Sequence, residues 1–452
     1  MTKSPESDAP TSTTDVADAS KSPVPEGTFA IGAGLIVAAI TAYGFQILAD
    51  RNLSEAGYKS LNNLWFLVFI VAPGFFQPLE QEIARAIAHR RAVGVGGAPV
   101  VRKAARLGAV LGLAVSIIAI IAGPLWLVDD YFDGEVALLG CLLIAVATYY
   151  VAHMTRGTLS GNKRFGAYGL MHGSEGTLRI LFVIAVVAVG LDTPGWFALA
   201  LVAPPAFAVL ISLRGQKDLL LPGPDAPYSE LSSALTLLLV STALAQVMSY
   251  APALAVTNML SDTSNDHRVA AGFVTGMFIA RIPILLFQAV QAALLPKLST
   301  YAAAGKHDDF RLGLKKLLFV VIGVAVLGVI GGATVGPTAG RMLFSKWTLG
   351  NRDLAMLAGG AGGFILALTL AQGLIALRGY KHVAISWVVG ILVFLALMPI
   401  GDDVVLRAEV AFVVSCWVTA SLVGTLLLMR MRVASATIGE LVEIIAHEHL
   451  EI

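Results

Sequence analysis

Apolar runs of about 20 residues recur along almost the whole chain, and each is the length needed to cross the hydrocarbon core of a bilayer as a helix. Ile31–Leu48, Leu107–Ile121 and Leu181–Leu191 are apolar around the whole helix, so they need lipid or protein on every side. Counting such runs predicts an all-α polytopic membrane protein of about twelve transmembrane helices in two six-helix bundles. The predicted spans are 28–48, 62–82, 105–127, 135–155, 166–190, 195–213, 232–258, 269–294, 314–338, 354–377, 383–400 and 408–429. All connections are short; the longest, between the second and third spans, holds Arg90, Arg91, Arg102 and Lys103.

A length of 452 residues would otherwise suggest two or three soluble domains. Composition excludes that, because 57% of residues are apolar and only 13% are charged. A soluble chain carries about 25% charged residues. The mean hydropathy is +0.79. A net charge of +1 gives no reason to expect a nucleic-acid partner. Cys141 and Cys416 both sit inside apolar runs and read as small core residues, not as a disulfide or metal site.

Residues 1–27 are rich in Ser, Thr, Asp and Pro and nearly lack large apolar groups, so a disordered tail is expected. The tail does not have the basic start, short apolar core and cleavage site of a signal peptide, so the first span is expected to be retained. Lys and Arg concentrate on one side: Arg85, Arg90, Arg91, Arg102, Lys103, Arg106, then Arg156, Lys163, Arg164, Arg214 and Lys217. The second half adds Lys297, Lys306, Arg311, Lys315, Lys316, Arg378 and Lys381. The other side is poor in positive charge, apart from a loop with Arg341, Lys346 and Arg352. This bias predicts a plasma (inner) membrane protein with both termini cytoplasmic. Reporter fusions after Leu213 and Arg432 should both report cytoplasm; a periplasmic signal at either would break the span count.

The Pro/Gly-rich stretch Leu221–Pro227 divides the spans six and six. The expected organisation is a tail at 1–27, a first bundle at 28–220, a cytosolic linker at 221–231, a second bundle at 232–430 and a C-terminal tail at 431–452. Phe75-Phe76-Gln77 in the second span is echoed by Leu286-Phe287-Gln288 in the eighth. Halves with an even number of spans share one orientation, as in parallel-repeat transporters. In the tail, Thr437 and Glu440 match a capping box that opens a short amphipathic helix. That helix is expected along the cytosolic membrane surface.

Charges at bilayer depth are costly and need a partner, water or a task. Arg281, midway along the eighth span, reads either as a cation lining a watered cavity and gripping an anion or as half of a structural ion pair. Glu175 and Arg179 are four residues apart on one helix face, where they can pair. Gln77, Glu80 and Glu82 follow Pro73 and Pro78, whose missing donors imply a kink. Glu82 and Arg85 have the spacing of an interfacial pair. His89, His153, His172 and His382 lack metal-ligand spacing, and Trp65, Trp126, Trp196 and Trp347 fit an interfacial aromatic belt. There is no phosphate-binding loop, nucleophile elbow or HExxH motif.

Three passages resemble the Wzx-type polysaccharide exporters of the multidrug/oligosaccharidyl-lipid/polysaccharide superfamily. Leu48-Ala49-Asp50-Arg51-Asn52-Leu53 with Gly57-Tyr58 is similar to that family's first-loop signature, departing from it at Asp50 and Lys59. Gly74-Phe75-Phe76-Gln77-Pro78-Leu79-Glu80 and Gly161-Asn162-Lys163-Arg164-Phe165-Gly166-Ala167-Tyr168 carry the rest. The resemblance implies a flippase moving a polyprenyl-diphosphate-linked glycan outward, built as two facing bundles around a cationic cavity, with no enzymatic activity and no cofactor. Membrane lipid and glycan-assembly proteins would be its partners. Cavity arginines hold the diphosphate in such relatives, and Arg51 and Arg281 match those places; Arg179, Glu175, Gln77 and Gln288 complete the expected site. A guanidinium suits the task because it pairs bidentately with phosphate oxygens. An ion gradient or the membrane potential would drive the cycle, and the residues do not choose. Two alternatives stay open: a drug or cation antiporter with an acidic cavity, and a membrane glycosyltransferase or polymerase using Asp129-Asp130, for which the outer loops are short.

Overall fold

The computed structural model describes residues 28–228, 235–260, 263–282 and 306–448, with residues 231, 284 and 301 between them. The expected tail at 1–27 and Gln288 lie outside the described residues, as does most of the second half of the expected eighth span. The helices are α1 Thr28–Asn52, α2 Glu55–Ala92, α3 Ala98–Tyr131, α4 Val136–Gly161, α5 Phe165–Ala188 and α6 Pro194–Leu213. They continue as α7 Leu235–Met259, α8 Ser264–Ala280, α9 His307–Thr334, the short α10 Gly336–Leu343, α11 Asn351–Ala376, α12 Tyr380–Leu397 and α13 Val404–Glu448. Among the described residues, eleven helices are long and apolar enough to span. The one remaining expected span, the eighth at 269–294, begins in α8. The chain is an all-helical, multi-pass membrane protein.

Side chains such as Ile118 on α3, 66% exposed, and Phe319 on α9, 81% exposed, have no protein cover. They face where lipid lies. With no hydrophobic drive between helices in lipid, close packing by small residues holds them together. The α1–α5 contact is the clearest case. A Cβ on Gly34 would come within 2.1 Å of the Gly169 carbonyl oxygen, and one on Gly169 within 2.1 Å of the Ala30 carbonyl oxygen. Gly169→Val should therefore separate the two helices and sharply lower the folded yield and melting temperature in detergent. Gly173→Ala, whose new methyl would sit 3.8 Å from Gly34, should be tolerated.

Two expectations need correction. The loop between the second and third spans is short, because α2 and α3 extend past the hydrocarbon and carry Arg85, Arg90, Arg91, Arg102 and Lys103 on helix. The α2 helix has 38 residues. At the helical rise its length is about 57 Å, nearly twice the bilayer core. Basic residues do not stop a helix; they stop only the apolar run. The C-terminal helix also does not start afresh near Thr437, since α13 runs unbroken from Val404 to Glu448. At Pro73 and Pro78, where a kink is expected, α2 has a π-helical stretch over Ala72–Phe76.

The basic connections meet on one face. Arg90 donates from Nη1 to the carbonyls of Gly96 (3.0 Å) and Pro224 (2.9 Å), and Asn162 donates to the Leu219 carbonyl at 3.0 Å. Lys103 pairs with Asp225 at 3.3 Å and also donates to the Ala226 carbonyl. These contacts strap the chain that joins the two halves onto the first of them. On the opposite face, Lys59, only 1% exposed, pairs with Asp133 at 2.9 Å.

Candidate functional site

The two halves meet along α2, which faces α7 and α8. Gly74, in the π-helical stretch, brings α2 so close to α7 that a Cβ would sit 3.2 Å from the Cα of Ala243. Above it, aromatic rings fill the seam. Trp65 packs edge-on to Phe278 with centroids 5.6 Å apart, and Phe66 lies 5.4 Å from Tyr250. From α1 the Tyr43 hydroxyl donates to the Phe278 carbonyl at 2.7 Å. Trp65 is 4% exposed, so it belongs to this layer and not to the expected interfacial belt.

Arginines flank the aromatic layer. Arg281 closes α8 as its C-terminal cap instead of lying mid-helix. Its guanidinium stacks on the Tyr250 ring at 4.0 Å, and Nη1 donates to the Ser249 carbonyl at 3.0 Å. Both partners are neutral. Among the described residues, no carboxylate pairs with Arg281.

On the first-half side the Arg179 guanidinium lies 6.0 Å from the Trp65 ring. Its charge is already engaged: Nη2 donates to Glu175 Oε1 at 2.8 Å, and Arg156 grips the other carboxylate oxygen. The Tyr149 hydroxyl, donating at 3.4 Å, also reaches Glu175. The i,i+4 pair is therefore present, and it is part of a triad. Arg156 does not lie in the basic connection where the charge count placed it; it is inside α4 and 5% exposed.

Below the triad stands a second cluster. Glu80 accepts from the Tyr168 hydroxyl at 2.9 Å and lies 2.7 Å from His153 Nδ1. Gly157 makes this meeting possible, because a Cβ there would stand 2.6 Å from the Glu80 carbonyl oxygen and push α4 off α2. Glu82 and Arg85 pair as their spacing predicts, with Nε to Oε1 at 3.0 Å. The side chain of Gln77, half-buried, makes no hydrogen bond among the described residues.

Arg51 is exposed at the far end of α1 and donates to the Met342 carbonyl at 3.2 Å, across the two halves. Its neighbour Asp50, fully buried, does more. The carboxylate accepts from the Ser345 hydroxyl (2.8 Å), the Ser345 amide and the Lys346 amide (3.3 Å). Lys346 in turn donates to the Asp50 carbonyl and lies over the Tyr58 ring at 5.5 Å. Burial in this junction lowers the Lys346 amine from its ordinary value. This junction accounts for one cation of the positive loop that broke the charge bias: Lys346 is held against Asp50. Charge-assisted bonds of this kind contribute about 1.5–3 kcal/mol each, so Asp50→Ala should loosen the junction. Labelling of Ala49→Cys, at a buried position, by a membrane-impermeant maleimide is expected to rise several-fold when Asp50 is replaced; unchanged labelling would show that the junction does not depend on it.

Of the expected site, the structure thus brings Arg179 and Glu175 together on one side of the seam and Arg281 to the other, with Arg51 far away at the opposite face. Arg156, Glu80, His153 and Tyr168 were missed as partners. Among the described residues, no group of His, Cys, Asp and Glu has the geometry of a metal site.

No protein-family model matches the chain. An uncharacterized protein of Mycobacterium tuberculosis is 22% identical over 375 residues, covering 81% of this chain and 83% of its own length. Solved structures share the fold. An outward-facing MATE family multidrug resistance transporter of the MOP superfamily superposes with a TM-score of 0.67 at 14% identity, over 90% of this chain and 95% of its own. Its inward-facing counterpart gives 0.64 at 13% identity over 91% and 99%. A MOP superfamily transporter from Pyrococcus furiosus, described as having a binding pocket of reverse polarity that suggests a different function, gives 0.67 at 13% identity over 90% and 96%. The chain has the MATE-like fold of MOP superfamily transporters.

Proposed function

We propose that this chain is a transporter that carries a lipid-linked anion, a polyprenyl-diphosphate-linked glycan precursor, from the cytoplasmic to the outer leaflet by alternating access of its two halves. The observation that carries the reading is Arg281. It is a guanidinium in the seam between the halves, braced by a carbonyl and an aromatic face and left uncompensated among the described residues. A charge kept at bilayer depth in that condition is explained by an anion that visits it. A diphosphate fits, since two parallel N–H bonds match the spacing of its oxygens. The aromatic layer beside Arg281 gives an apolar surface suited to a prenyl chain, and α2, which carries much of that layer, has a π-helical stretch where it can bend.

The transporter fold supports this reading over the polymerase alternative. Pocket polarity would separate it from a drug or cation antiporter, which needs acidic groups facing the seam. Here Glu175 is bound by Arg156 and Arg179, and Glu80 is hydrogen-bonded to His153 and Tyr168. Lipid analysis after depletion of the protein tests the proposal: a polyprenyl-diphosphate-linked glycan should accumulate in the inner leaflet. An unchanged lipid-linked pool would overturn it.

A further inference from the structure

We propose that Glu80, His153 and Tyr168 form a proton-binding site, reached from the basic face, that couples proton movement to the transport cycle. The proposal rests on the transporter reading but not on the identity of the substrate.

The first argument is geometric. Imidazole Nδ1 and carboxylate Oε2 at 2.7 Å share one hydrogen, and Tyr168 supplies the second hydrogen bond to the same carboxylate. The three residues come from α4, α2 and α5. The side chains of Glu80 and His153 are 11% and 7% exposed, deep enough that each change of charge is felt by its neighbours.

Charge balance gives the second argument. The groups facing His153 are Glu80 from α2, Tyr149 and Arg156 on its own helix, and Tyr168, His172, Glu175 and Arg179 from α5. The two guanidinium groups balance the two carboxylates when His153 is neutral. The Arg156–Glu175–Arg179 triad carries one net positive charge, which the Glu80 carboxylate offsets. One extra proton is therefore the smallest change of state this core can make, and the His153–Glu80 pair is where it can be held. Chains of buried His, Glu and Tyr in membrane proteins serve as proton relays more readily than as packing, because apolar residues would fill the space at no electrostatic cost.

The third argument is the route. Tyr168 stands one turn from the basic-face end of α5 and is half-buried. His172, one turn further, is also half-buried, lies 5.0 Å from the Tyr168 ring, and has a buried Nε2 with no partner. Tyr168 thus joins that face to Glu80, and His172 continues the polar line inward from it.

Coupling follows from where Glu80 sits. It lies four residues beyond the π-helical stretch Ala72–Phe76, whose other side carries Trp65 and Phe66 of the seam. Holding or releasing a proton changes how Tyr168 and His153 grip the lower part of α2, and the irregular stretch passes that change to the part touching the second half.

Two ligand-free measurements on the purified protein in lipid nanodiscs test this. With 15N-labelled histidine, one resonance, absent in His153→Gln, should titrate with pH, and Glu80→Gln should move its midpoint down, since the carboxylate favours the charged imidazole. Spin labels at Asn52→Cys and Arg341→Cys, exposed positions on the two halves, should then report a distance distribution that shifts across the same pH range. That shift should vanish in His153→Gln, while Arg164→Gln should leave it unchanged. A His153 signal that does not titrate would overturn the site. A titrating His153 with a pH-independent distance distribution would overturn the coupling. Neither result depends on which lipid is carried, so each stands apart from the outcome of the depletion experiment.

Discussion

Arg281→Ala is expected to abolish transport while leaving membrane insertion and folded yield intact. Among the described residues the guanidinium donates to a carbonyl and stacks on an aromatic ring, and both contacts are modest for folding. Each charge-assisted bond to a diphosphate contributes about 1.5–3 kcal/mol, so losing a bidentate pair lowers affinity by roughly two or more orders of magnitude. Arg281→Lys should recover only part of the activity, because the ammonium keeps the charge but loses the planar fork. Accumulation of the lipid-linked intermediate in cells carrying each variant reads the effect. Wild-type export by Arg281→Ala would reduce the residue to a brace between α7 and α8.

Glu175→Ala should be the most destabilising single change in the first half. It leaves the Arg156 and Arg179 guanidinium groups buried side by side without the carboxylate that both are bonded to. Removing one partner from a buried pair costs about 3–5 kcal/mol, and here two cations are stranded at once. The triad also changes what a double replacement does. If Arg179 were the sole partner, removing Glu175 and Arg179 together would restore the fold; with Arg156 still present, one buried guanidinium loses its bonded carboxylate and the restoration should be incomplete. Adding Arg156→Met as a third change should recover most of the folded yield, measured as monodisperse protein after heating in detergent. Recovery in the double variant alone would mean that Arg156 is not bound to Glu175.

The triad also illustrates what sequence can and cannot reveal. Glu175 and Arg179 are one turn apart, and helix geometry alone finds them. Arg156 is 19 residues from Glu175 on another helix, near the end of an apolar run, where a count of charges assigns it to a loop. Glu80 and His153 are 73 residues apart, and only the α2–α4 packing allowed by Gly157 joins them. Apolar run length found the helices because a bilayer imposes it, but it measures hydrocarbon, not helix. That is why α2 and α3 were read as too short and the basic turns of each as a loop. The cross-half junction at Asp50 follows the same pattern. The residue departs from the resembling family's signature, and its departure has meaning only beside Ser345 and Lys346, which come from the other half of the chain.

Reconstituted flipping tests the central claim most directly. Proteoliposomes containing the purified chain and a fluorescent polyprenyl-diphosphate sugar would be treated with an impermeant quencher after defined intervals. Wild-type vesicles should lose fluorescence from probe placed initially in the inner leaflet, and Arg281→Ala vesicles should not. Wild-type vesicles that leave the probe in place while exporting a lipophilic cation would contradict the account.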